Sequence, residues 1–81
     1  MTPQEKKIQN IMSQWKNNLI SEDEVQDKIL AINPSIKEVT TIPYTKGVYV
    51  IILMNRKIKK YYIGARTYAP KGSLILRSVN N

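Results

Sequence analysis

The chain has 81 residues, with 13 lysines and arginines against 6 carboxylates, and it contains neither cysteine nor histidine. One domain is expected at this length; disulfides and thiolate metal sites are excluded, and the usual zinc ligand and neutral-pH base are missing. No apolar run approaches the ~20 residues that span a bilayer, and the opening MTPQEKKIQN has no apolar signal core, so a soluble cytoplasmic protein with no membrane partner is expected.

Two helices are predicted first. Thr2 can cap, Pro3 suits the first helical position, and Glu5 completes a T-x-x-E capping box. Ile8, Ile11, Met12 and Trp15 then fall on one apolar stripe, and Asn17-Asn18 suits the helix end because asparagine tolerates the left-handed conformation. The second helix opens on Ser21 with Glu24 three residues later, a second capping box, and Ile20 with Val25 can form a hydrophobic staple. Val25, Ile29 and Ile32 make its inward face, and Asn33-Pro34 stops it. Glu22, Asp23 and Glu24 crowd the first turn, where the helix dipole favours carboxylates; capping explains them better than metal ligation does.

WKNNLISEDEVQDKILAI, residues 15–32, resembles the SHOCT and SHOCT-like (short C-terminal domain-like) modules of bacterial and phage proteins. A helix end, a polar turn and LIS-x-x-E precede a helix with Val25, Lys28 and Leu30 at matching places. The likeness covers residues 5–32. It implies an oligomerisation or interaction element. Two short helices with one apolar face each cannot enclose a core alone. They must pack on the rest of the chain, on another copy, or on both. Ile11, Trp15 and Leu19 are the candidate oligomer-interface residues, with Trp15 as anchor; an ordinary core tryptophan is the competing role.

The charge is segregated. Residues 1–36 hold four lysines against five carboxylates, a net of −1, whereas residues 37–81 hold nine cations against Glu38 alone, a net of +8. An anionic partner is the expectation, in preference to charge kept only for solubility.

The second half reads as strands. IKEVTTIPY (36–44) has β-branched residues and ends near Pro43, which suits an edge. GVYVIILM (47–54) is apolar on both faces and should be central. Asn55-Arg56-Lys57 is a hairpin turn, IKKYYIGARTY (58–68) the next strand, Ala69-Pro70-Lys71-Gly72 a turn, and SLILRSV (73–79) a closing strand. The expected fold is α+β: a single domain over 1–81, with a helical hairpin over 1–33 and a three- to four-stranded antiparallel sheet over 35–79.

Alternation places Ile58, Lys60, Tyr62, Gly64, Arg66 and Tyr68 on one side of the third strand and Lys59, Tyr61, Ile63, Ala65 and Thr67 on the other. Lys60 and Arg66 interleaved with Tyr62 and Tyr68, around a glycine that permits close approach, suit a phosphate- and base-bearing ligand. Arg56, Lys57 and Lys71 add charge. A solvated face of long side chains covering apolar surface is the ordinary alternative.

GVY (47–49) and YIG (62–64) resemble the GIY-YIG endonucleases, a likeness that makes Tyr49 and Tyr62 the motif tyrosines. The 17 residues after Gly64 contain no acid, and metal-assisted phosphodiester cleavage needs a carboxylate. The hairpin is therefore expected to be non-catalytic, and no cofactor or metal is expected. The leading expectation is a small non-enzymatic accessory protein of phage type that oligomerises and binds nucleic acid or a nucleotide. The alternatives are a sponge for a host immune signalling nucleotide, or an inhibitor or adaptor docking on an acidic host protein.

Overall fold

Both helices begin where their caps predict. In the structure, a computed structural model that describes residues 2–79, α1 spans Pro3–Lys16 and α2 spans Glu22–Leu30, each with its full capping box, Thr2 with Glu5 and Ser21 with Glu24. Asn18 takes a positive φ of 61° at the reversal between them, a conformation asparagine accepts more readily than most residues. Asn33 ties the pair together by donating 3.0 Å to the Gln4 side chain.

Four strands follow: β1 Ile36–Tyr44, β2 Gly47–Met54, β3 Lys57–Gly64 and β4 Leu74–Ile75, in the spatial order β1-β2-β3-β4. The fold is α+β with a mixed sheet. The first two pairings are antiparallel, but β4 lies parallel to β3, with Tyr61 opposite Leu74 and Tyr62 opposite Ile75. The long antiparallel strand expected over 73–79 is thus two parallel residues. The segment 65–73 carries the chain back along β3 instead of reversing it, as a parallel pairing requires. Strand β3 also stops at Gly64, and Arg66–Tyr68 form a turn of 3-10 helix, so the alternation expected out to Tyr68 ends four residues early.

One face of the sheet holds Val39, Thr41, Val48, Val50, Ile52, Tyr61 and Ile63, and the helices cover it with Ile8, Met12, Val25 and Ile29. Ile11, Trp15, Ile20 and Ile32 pack around this core. The apolar side of the helical hairpin is therefore occupied by the chain's own sheet. Of the expected interface residues, Ile11 and Trp15 are half-buried there, and Leu19 alone stands out, 61% exposed. The buried Thr41 anchors α2 to β1: its hydroxyl donates 2.7 Å to Glu22 and accepts 2.9 Å from Gln26. After β4, Leu76 enters the core and the chain runs along α1. There the Gln9 side chain donates to the Arg77 carbonyl, and Val79 N–H donates 2.8 Å to the buried Ser13 hydroxyl.

A chain of this size has roughly 4–12 kcal/mol of stability, so one core contact is a large share of it. Ile8→Ala, at a fully buried position, is expected to cost about 3 kcal/mol, against about 1 kcal/mol for the exposed cap change Ser21→Ala. Urea unfolding followed by tryptophan fluorescence measures both.

Candidate functional site

The paired letters GVY and YIG have a structural reason. Gly47 and Gly64 lie directly opposite one another at the end of the β2–β3 hairpin, and the Tyr62 side chain crosses over them. A Cβ on Gly47 would come within 2.8 Å of the Tyr62 hydroxyl, and one on Gly64 would come closer still. The bare backbones make room for the phenol. Its hydroxyl proton is shared between the carbonyls of Thr45 and Ala65, both at 3.1 Å, with the Lys46 carbonyl at 3.4 Å. Tyr44 closes the ring from above, edge-on to Tyr62 with centroids 5.9 Å apart, and itself packs 5.8 Å from Tyr49.

Tyr62 is consequently buried, at 0% exposure. This corrects its expected role as an open stacking platform: the alternation put it on the right face, but neighbouring tyrosines cover that face at its end. The hydroxyl is likewise engaged by backbone carbonyls. Burial first, and the neighbouring Tyr44 second, raise its pKa above the ordinary tyrosine value; a phenolate there would face carbonyl oxygens in place of donating to them. Tyr61, on the helix-covered face, is raised by burial and then by Glu5.

The expected ligand residues separate into groups. Arg56 and Lys57 lie at the β2–β3 turn, eight and seven residues before Gly64, roughly 25 Å away by strand rise. Lys60 lines a cavity of about 560 Å³ along the free edge of β3, together with Lys59, Tyr61, Leu74, Gly72 and Glu5. Lys71 is exposed in the turn just before Gly72, and Tyr68, 44% exposed, stands on the 3-10 turn. Gly64 and Arg66 belong to a different cavity at the far end of the sheet. The eight residues do not form one surface.

That second cavity, of about 320 Å³, is lined by four cations: Lys16, Lys46, Arg66 and Arg77. They come from the end of α1, the β1–β2 turn, the 3-10 turn and the segment after β4. Among the described residues no carboxylate lines it, whereas Glu5 offsets the lysines of the larger cavity. Lys46 has a positive φ of 61°, which costs an L-residue with a Cβ about 1 kcal/mol or more. Glycine or asparagine is the economical choice at such a position, yet a lysine stands there and lines the cavity. Lys16, Lys46 and Arg77 were not among the residues expected from the sequence. Only Lys46 had a local signal, since pairing Gly47 with Gly64 sets it beside Arg66.

Among the described residues no cluster of three or more potential metal-ligating side chains occurs, and no helix is long and apolar enough to cross a membrane. No protein-family model, curated protein or solved structure matches this chain.

Tyr62→Phe leaves the Thr45 carbonyl without its donor and is expected to cost about 1–2 kcal/mol; Gly64→Ala should cost more, because its Cβ would meet the Lys46 backbone carbonyl as well as the phenol. A tyrosine whose folded pKa is raised contributes stability that is complete below its unfolded value near 10 and is lost as pH climbs through the folded value. Unfolding free energy should therefore fall above about pH 10, and fall less steeply in Tyr62→Phe, as paired denaturant titrations would measure.

Proposed function

We propose that the protein is a non-enzymatic binding protein, acting in the cytoplasm, that holds a phosphate-bearing ligand, nucleic acid or nucleotide, in the cleft formed by Lys16, Lys46, Arg66 and Arg77. The observation that carries this is the convergence of four cations from four separate chain segments on one cavity that no carboxylate of the described residues lines. Like charges brought together repel, and an anion relieves that repulsion. Two arginines offer planar forks that match phosphate oxygens, and two lysines add mobile point charges. Each has an ordinary use taken singly; Lys16, for instance, complements the dipole at the end of α1. Their joint placement, with a lysine kept where glycine is the relaxed choice, favours a ligand. The volume is that of a small pocket, enough for a nucleotide unit. The cations Lys59, Lys60 and Lys71 farther along the β3–β4 side would extend the track for a longer strand.

Titration of labelled single-stranded RNA and of a mononucleotide, each at low and physiological salt, tests the proposal. For nucleic acid, affinity should fall steeply with salt, and each cleft cation replaced by alanine should lower the salt slope by about 1. A mononucleotide would respond to salt less and ignore changes at Arg56 and Lys57. The proposal fails if Arg66→Ala/Arg77→Ala binds both probes as the unaltered protein does, or if that protein binds neither. Lys46→Gly should separate the two demands on that residue, raising stability by up to about 1 kcal/mol through relief of the left-handed conformation while weakening binding.

A further inference from the structure

Beyond the Tyr44–Tyr49–Tyr62 cluster at one end, the face of the sheet turned away from the helices has no cover among the described residues. It presents Glu38, Thr40, Ile42 and Tyr44 from β1, Ile51 and Leu53 from β2, and Ile58 and Lys60 from β3. Ile58 is 63% exposed and Tyr44 40%. Among the described residues, the strands put only two charges on this face, Glu38 on one side and Lys60 on the other. Beside Ile58 is a hollow of about 190 Å³ between β1 and β2, lined by Glu38, Thr40, Ile51 and Leu53 as well as Ile58 itself.

We propose that this face is the contact between two copies of the chain, related by a two-fold axis parallel to β2. Such an axis lays β1 of one copy over β3 of the other, and its self-complementarity can be read from the register. Glu38 is level with Leu53 and Ile58, and Thr40 is level with Ile51 and Lys60. The projecting Ile58 of each copy therefore comes over Glu38 on β1 of the other, at the rim of the hollow that Glu38 and Thr40 line. Each Glu38 comes over β3 of the other copy, two residues along from Lys60. With packed sheets ~10 Å apart and a ~7 Å offset along the strand, a glutamate and a lysine side chain meet. The two charges form two crossed pairs, and each Ile58 packs at the rim of the other copy's hollow. The aligned arrangement is one of the preferred ways for sheets to pack. A three-strand face covers only roughly 15 by 25 Å, below the ~800 Å² that each partner of a standard interface buries, so the dimer is a reversible, concentration-dependent one.

Sedimentation equilibrium from micromolar to millimolar protein tests this. The expected result is a mass that doubles with concentration. Ile58→Asp, at a position too exposed to affect folding, should raise the dissociation constant at least tenfold, and so should Glu38→Lys or Lys60→Glu alone. The double exchange Glu38→Lys/Lys60→Glu should restore association, an effect that a general change in charge or stability would not produce. Circular dichroism confirms that each variant is folded. A monomer throughout the range overturns the proposal. So does a dimer that ignores Ile58→Asp and is broken by Leu19→Asp, which would assign the contact to the helical hairpin instead.

Discussion

The candidate cleft depends on the hydroxyl of Tyr62 resting over the Gly47–Gly64 pair. That hydroxyl joins three stretches of backbone that have no strand pairing in common: the β1–β2 turn through Thr45, the end of β3, and the start of the 3-10 turn through Ala65. The N–H of Ala65, the residue before Arg66, holds the same junction by donating 3.1 Å to the Lys46 carbonyl. Together the two links set Arg66 beside Lys46. The packing of Tyr44 and Tyr49 around the same phenol belongs to the arrangement, because a shared proton between carbonyls is strongest where water is kept away.

The uneven charge of the sequence becomes a spatial division through the order of the sheet. Helix α2, which carries Glu22, Asp23, Glu24 and Asp27, is tied to β1 at one edge by Thr41. The cations gather toward β3, β4 and the segment that follows. Because β4 is parallel to β3, the chain leaves the sheet at the Gly64 end and brings Arg77 there, while α1, running toward the same end, delivers Lys16. An antiparallel β4 would have carried Arg77 to the opposite end of the sheet. The cleft is thus a product of topology as much as of composition.

What could be read from the residues follows the range of the forces involved. Both capping boxes, the apolar stripe of α1 and the alternation along β3 up to Gly64 are local patterns, and the structure reproduces them. So is the hairpin turn, where Asn55 and Arg56 both take positive φ. The failures need information from distant parts of the chain. That Tyr62 is covered depends on Tyr44 of a strand two removed in the order. That residues 73–79 supply only a two-residue parallel strand depends on the path of the 3-10 turn. Of the four cleft cations only Arg66 stands in a pattern legible along the chain, since Lys16 and Arg77 meet it through tertiary contacts that leave no mark on neighbouring residues. Arg56, Lys57, Lys60, Tyr68 and Lys71 were gathered with it by proximity in sequence, and the strand's own length spreads them apart.

The Gly47–Gly64–Tyr62 arrangement also bears on how short motifs carry meaning. A hairpin that seats a phenol on two facing glycines must place a glycine at the start of one strand and a tyrosine two residues before the glycine that ends the next. With β-branched fillers between them, that steric recipe is spelled in nearly the same letters as a catalytic signature. In this chain the hydroxyl spelled by those letters donates to the carbonyls of Thr45 and Ala65 and so holds a turn and a strand end together.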